Sequence, residues 1–91
     1  MLTVTDAARA RLARKLRSKN PPANRALRFA RNDGRPTWGI HLDKIDNADV
    51  VYAHEGRTVL VVDEQASQML NNKVLYVRET EEGPRLRLRK S

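Results

Sequence analysis

The sequence contains no cysteine in its 91 residues. Disulfides, thiolate nucleophiles and cysteine-ligated metals are therefore excluded from these residues. No apolar stretch approaches the ~20 residues that a membrane-spanning helix needs. The N-terminus also lacks the apolar core of a signal peptide. These absences predict a soluble, cytoplasmic protein that does not engage the membrane.

Aromatic residues are scarce as well, at 4% of the chain, whereas charged residues reach 32%. The hydrophobic residues, at 40%, come in short clustered runs, which is typical of a globular domain and not of a disordered chain. A chain of this length forms one domain, so we expect a single domain over residues 1–91.

Positive charge is concentrated at the two ends of the chain, whose formal net charge is +7. Residues 1–36 hold ten basic side chains against two acidic ones, a balance of +8. Residues 37–82 hold four basic against nine acidic, giving −5, and residues 83–91 add four basic side chains for +4. Such asymmetry is typical of a polyanion-binding surface, but solvated faces on a soluble protein produce it too, so both interpretations stay open.

The first long element is predicted to be a helix over residues 6–18, because apolar residues recur every four positions. Thr5 is suited to cap its N-terminus, and Asn20-Pro21-Pro22 ends it. The inward stripe consists of Ala8, Leu12 and Leu16.

The rest of the chain alternates between strand-like runs and turns, with one further short helix over residues 64–70 whose Ala66, Met69 and Leu70 we expect to face inward. Few connections are long enough for parallel crossovers, so the sheets should be mostly antiparallel or mixed. The prediction is an α+β fold with helices on sheet faces, in the order β-α-β-β-β-β-α-β-β. The strands are expected over residues 2–4, 26–31, 38–44, 50–54, 57–62, 74–77 and 86–88.

The segment from Asp49 to Leu88 shows two apolar runs about Glu55-Gly56, a valine-rich strand that enters a short helix through Asp63, and a final hairpin. With the opening Leu2–Ala8, this order resembles the HesB-like family of A-type iron-sulfur carriers. The resemblance covers nearly the whole chain and is most specific from Asp49 to Leu70. It implies a small HesB-like fold.

Members of that family hold iron or a cluster on cysteines, and none of these ligands has a counterpart here. The family's glycine-rich ligand loop corresponds to residues 32–37, which contain no cysteine, and its Cys-Gly-Cys tail is not present by Ser91. The resemblance therefore implies a cysteine-free relative without a cofactor. We expect a non-catalytic accessory or interaction domain related to iron-sulfur cluster biogenesis, unable to carry a cluster by itself.

Catalytic and metal-binding patterns are weak. No serine lies in a nucleophile-elbow context, and we predict no enzyme activity. His41 and Asp43 are two apart on a predicted strand and share a face, so they are a candidate metal pair, with His54 or Glu55 as a third ligand. The alternative is an exposed polar strand face. The only tryptophan, Trp38, is favoured as a core residue over a binding anchor.

The alternative function is a nucleic-acid or other polyanion-binding module that uses the basic helix and the last strand. Scarce aromatics argue against base stacking. An unknown protein partner, weak nucleic-acid binding and a homodimer all stay open as partners. The residues expected to contact a polyanion or a partner are Arg11, Arg14, Arg17, Arg31, Arg35, Arg85, Arg87 and Arg89.

Overall fold

Seven strands and two helices build the fold, in a computed structural model that describes residues 1–91. Their order matches the prediction, and so does the α+β class. None of the helices has the length and apolarity needed to span a membrane. The elements are β1 (Thr3–Val4), α1 (Asp6–Lys19), β2 (Arg25–Arg31), β3 (Trp38–Lys44), β4 (Val50–His54), β5 (Arg57–Val62), α2 (Glu64–Met69), β6 (Lys73–Thr80) and β7 (Gly83–Lys90).

Helix α1 begins and ends at the predicted signals. The Thr5 hydroxyl accepts a hydrogen bond from the Ala8 N–H at 3.2 Å, which satisfies one of the free donors of the first turn. Asn20 ends the helix in the left-handed conformation, with φ of 45°. The stripe of Ala8, Leu12 and Leu16 is buried, which anchors α1 on the sheets.

The strands form two sheets, one in the order β3-β2-β5-β4 and one in the order β1-β6-β7. Three hairpins are antiparallel, as expected, but β2 pairs with β5 and β1 with β6 in parallel. Intervening hairpins and helices supply the long connections that parallel pairs require. Strands joined by a hairpin therefore pair antiparallel and the two sheets as a whole are mixed, which confirms the predicted mostly antiparallel or mixed arrangement.

The core lies between α1 and the inner faces of both sheets. A β-bulge places one extra residue in β5, since Tyr52 pairs with Leu60 while Ala53 pairs with Thr58. Both Val59 and Leu60 can therefore join the core. The next residue, Val61, pairs with Arg28 and is fully buried. This geometry explains the uninterrupted apolar run in β5.

Helix α2 departs from the prediction at one residue. The Asp63 carboxylate accepts from the Ala66 N–H at 2.7 Å and caps the helix, as expected. Ala66 and Leu70, four residues apart, are buried, whereas Met69 is 45% exposed. The expectation that Met69 faces inward is wrong, because a six-residue helix has only one narrow inward face.

Candidate functional site: a groove between two sheet edges

A groove of about 710 Å³, here called the intersheet groove, opens on the surface of the protein. It lies between β3 and β7, each the edge strand of its own sheet, and α1 borders it. The lining includes the consecutive residues 37–40 and 84–88. Because successive strand residues point to opposite faces, consecutive lining means that the groove runs along the strand edges.

The floor of the groove is apolar and incompletely covered. Trp38 packs against the buried Phe29, with ring centroids 5.3 Å apart and a 32° angle between planes. Ile40 from β3 and Leu86 and Leu88 from β7 add to this floor and stay half-buried. The Trp38 side chain thus packs on the core, as expected, while it also lines an open groove.

The rim is cationic. Arg11 and Lys15 lie one turn apart on α1, and Arg87 lies on β7; none of the three forms an ion pair within the chain. Arg85 contacts Glu82, the one acidic residue of the lining. The groove lining therefore combines four cations with one carboxylate and carries a net positive charge.

The structure brings three of the eight predicted arginines, Arg11, Arg85 and Arg87, into this groove, and their binding role stays a prediction. Sequence reasoning missed Lys15, although its spacing of four from Arg11 places both on one helix face. The other five arginines lie elsewhere.

Those five lie at separate places on the surface, and two of them have a contact within the chain. Arg14 is exposed on α1 outside the groove lining, and Arg17 borders a separate cavity of 130 Å³. The Arg31 Nε donates to the Arg35 carbonyl at 3.2 Å within the β2–β3 loop. The Arg89 guanidinium lies over the Tyr76 ring, 5.2 Å from its centroid.

A separate charged cluster centres on Arg28, on the outer face of β2. Its Nη1 and Nη2 donate to both Asp49 carboxylate oxygens, at 2.9 and 2.7 Å, and its Nε donates to Asp43 at 2.7 Å. The Arg28 hydrogen bond lowers the pKa of Asp49, helped by the Asp46 N–H and opposed by burial. The pKa of Asp43 is lowered first by the Lys44 N–H and then by Arg28. These groups satisfy one another, so the cluster stabilises the loop between β3 and β4.

The candidate metal pair does not acquire its expected third ligand. His41 Nε2 lies 3.9 Å from Asp43 Oδ2, but that oxygen already accepts from Arg28. His54 and Glu55 lie at the end of β4, the opposite edge of the four-stranded sheet. Three strand spacings separate the edges, roughly 14 Å. The predicted third ligand is therefore wrong, and no group of three His, Cys, Asp or Glu side chains is placed so that it could hold a metal ion.

The loop over residues 32–37 is held by hydrogen bonds of its own. The Asn32 N–H donates to the Thr37 carbonyl at 2.8 Å, and the Asn32 side-chain amide donates to the Thr37 hydroxyl at 2.8 Å. Gly39 lets this amide come close, because a Cβ there would lie 2.7 Å from Asn32 Oδ1. The polar groups of this loop are amides, a hydroxyl and one carboxylate, beside Arg31 and Arg35.

Solved structures with the same architecture are found at low sequence identity. The crystal structure of Escherichia coli SufA, described as involved in biosynthesis of iron-sulfur clusters, aligns with a TM-score of 0.66 at 21% identity and covers 98% of this chain and 84% of that one. The fold is HesB-like. IscA with a [2Fe-2S] cluster gives a TM-score of 0.60 at 19% identity, covering 99% and 82%.

A solution structure of a protein from Aquifex aeolicus has the same fold, with a TM-score of 0.64 at 21% identity and coverage of 99% and 91%. Protein-family models and curated proteins give no match to the sequence. At these identities the likeness concerns the fold alone. It confirms the HesB-like fold that the sequence pattern predicted.

The residues of this chain do not fit an iron-sulfur cluster. Clusters are held by thiolates, which hard oxygen donors replace poorly. The loop over residues 32–37 offers oxygen and amide groups but no thiolate, and the guanidinium groups of Arg35 within it and Arg31 before it disfavour a bound cation. This loop therefore has no side chain suited to ligate a cluster.

Proposed function

We propose that the chain is a non-catalytic, HesB-like interaction domain that binds a partner through the intersheet groove and carries no cluster on its own residues. One observation carries the proposal: an apolar floor stays open between two sheet edges, beside three cations, Arg11, Lys15 and Arg87, that have no acidic partner in the chain. Apolar patches with a polar rim are typical of interaction sites. The link to iron-sulfur cluster biogenesis rests on the shared fold.

The cluster half of the proposal is tested by anaerobic reconstitution with iron and sulfide, with Escherichia coli SufA treated in parallel. We expect this chain to remain colourless after desalting. The SufA sample serves as the positive control. A stable brown protein with stoichiometric iron would overturn the proposal, because oxygen and nitrogen donors alone would then be holding a cluster.

The binding half is tested with two charge reversals on the same helix. Arg11→Glu removes a cation of the groove, whereas Arg14→Glu makes the same charge change outside it. In pull-downs from native lysate, treated with nuclease, Arg11→Glu should abolish recovery of the partner and Arg14→Glu should not. Equal recovery with both variants would place the binding surface elsewhere.

Polyanion binding is the second candidate, favoured by the convergence of Arg11, Arg85 and Arg87 on one groove. Neutralising several phosphates makes affinity fall steeply with salt. Gel shifts with duplex DNA and single-stranded RNA across a salt series test it. If neither nucleic acid is shifted even at low salt, this candidate function is wrong.

A further inference from the structure

The free edge of β7 presents main-chain groups to the groove at known positions. In an antiparallel pair, hydrogen-bonded and non-bonded residue pairs alternate. The Ser91 N–H donates to the Asn72 carbonyl at 2.9 Å, so this pair is a bonded one in the β6–β7 register. Every second residue before Ser91 is therefore also in a bonded pair, so the main chains of Arg89, Arg87 and Arg85 form hydrogen bonds with β6. The N–H and C=O groups of Leu88 and Leu86 therefore point away from β6, to the open edge.

Pro84 agrees with this assignment. It falls on an outward position, where the missing N–H leaves no gap in the β6–β7 ladder. The same counting applies to β3, where the Asn32 N–H donates to Thr37 and the Ile45 N–H to Asn24. Trp38 and Ile40 are then the outward positions of that edge. The outward N–H and C=O groups of β3 and β7 thus have no partner strand and border the intersheet groove.

Resting on the function proposed above, we propose that the groove binds an extended acidic segment of a partner protein, which adds to β7 as an antiparallel strand. Its main chain pairs with Leu86 and Leu88, as in recognition by strand addition. The outward-pointing run from Pro84 to Leu88 covers roughly 13 Å, the span of five residues in a strand.

Side-chain alternation defines the sequence of that segment. Residues opposite Leu86 and Leu88 share their face, so they are apolar and cover the floor beside Trp38. The residues of the partner segment that alternate with these apolar residues lie beside Arg85 and Arg87, and the two guanidinium groups favour Asp or Glu there. The partner segment therefore alternates acidic and apolar residues.

The positive charges of β7 favour an acidic segment as the added strand and disfavour a second copy of this chain. Two β7 edges placed side by side would bring the same arginines, Arg85, Arg87 and Arg89, against one another. Like charges directly opposite are destabilising in a sheet. Natural sheets use charged edges to prevent self-association, and an acidic strand turns the same charges into attraction.

The probe is the peptide acetyl-Glu-Val-Glu-Val-Glu-Val-Glu-amide, titrated into ¹⁵N-labelled protein and followed by amide chemical shifts. The largest shifts, with slowed hydrogen exchange, are expected at Leu86 and Leu88. A peptide with Lys for Glu, and one N-methylated at its three valines, should each bind at least about tenfold more weakly. Equal binding by the N-methylated peptide would overturn strand addition.

Two variants at one position separate backbone from side chain. Leu86→Ala keeps the outward N–H, whereas Leu86→Pro removes it at a site where the ladder tolerates proline, as Pro84 shows. The proline variant should bind the peptide about tenfold more weakly than the alanine variant. Equal affinity of the two variants would contradict the pairing. Arg87→Glu, with Arg14→Glu as its control, tests the contribution of charge to peptide binding without changing the apolar floor.

Other outcomes are equally informative. Concentration-dependent shifts of Leu86 and Leu88 without peptide would replace the proposal by a homodimer. Displacement of the peptide by a single-stranded oligonucleotide at physiological salt would replace it by a polyanion site. If the peptide fails while Arg11→Glu still abolishes partner recovery from lysate, strand addition is wrong and the interaction function stands.

Discussion

Asp49 holds the cluster that ties the β3–β4 loop to β2, and its substitution by asparagine is the most demanding test of the structure. The Asp49 side chain is 2% exposed and accepts two hydrogen bonds from Arg28 and one from the Asp46 N–H at 2.8 Å. Asn has the same shape but no charge, and its amide N–H₂ would face the guanidinium.

The expected loss follows from that geometry. Asp49→Asn removes at least one charge-assisted hydrogen bond, worth about 1.5–3 kcal/mol. It also leaves the largely buried Arg28 with Asp43 as its only carboxylate, and breaking buried pairs costs about 3–5 kcal/mol. Since Arg28 keeps Asp43 and the Lys44 carbonyl, we expect a loss of about 2–4 kcal/mol in the free energy of unfolding.

Urea denaturation at pH 7 measures this change. The control is Asp46→Asn in the same loop, where the exposed carboxylate accepts only a 3.2 Å bond from the Ala48 N–H and less than about 1 kcal/mol is expected. A loss below about 1 kcal/mol for Asp49→Asn would show that the Arg28 cluster does not stabilise the fold as described.

The same variant has a defined pH dependence. The folded pKa values of Asp49 and Asp43 lie below their ordinary range, so their contribution is complete above the unfolded pKa of about 4. It is lost as the pH falls from there through the folded values. The difference between wild type and Asp49→Asn should therefore be constant above about pH 6 and shrink below about pH 4. A difference that grows on acidification would contradict the assigned ion pairs.

Substitutions at three further places in the fold test local geometry by urea denaturation. Gly39→Ala should destabilise by about 1 kcal/mol, because its Cβ would lie 2.7 Å from Asn32 Oδ1 and the Asn32 side chain must turn away from the Thr37 hydroxyl; in an Asn32→Ala background the same change should cost less. Leu70→Ala should cost about 2–4 kcal/mol and Met69→Ala less than 1 kcal/mol, whereas equal losses would contradict the orientation of α2. Glu55→Asn should stabilise by about 0.5–1 kcal/mol, since position 55 has φ of 50° in a two-residue hairpin turn that favours asparagine, and a destabilised variant would refute that turn.

Features set by neighbouring residues were predictable from the sequence. The four-residue spacing of Leu12 and Leu16, with Thr5 before and Asn20 after, predicted α1 almost to its ends. The β6–β7 hairpin was recognised, but both strands extend beyond the predicted runs because charged residues such as Arg78 and Arg85 continue the ladder. Alternation of apolar residues marks only the covered part of a strand.

Features that join distant residues were not predictable. The parallel pairing of β2 with β5 and the carboxylates around Arg28, 15 and 21 residues away, depend on how the hairpins assemble. Arg9 is similar: it donates to the Val4 and Ala53 carbonyls and lies 5.5 Å from the Tyr52 ring centroid, which no local pattern indicates. The outward backbone of β7 likewise requires a register, which composition does not contain.

The arginines of this chain differ in whether they have a carboxylate partner within the fold. Arg28 is neutralised inside the fold by Asp43 and Asp49, so its charge stabilises the loop and is not available to a ligand. Arg11 and Arg87 have no such carboxylate and border an apolar floor. Composition alone treats these arginines as equivalent. Because only the second kind offers an uncompensated charge beside unpaired backbone, an acidic strand gains ion pairs, main-chain hydrogen bonds and apolar burial at the same edge.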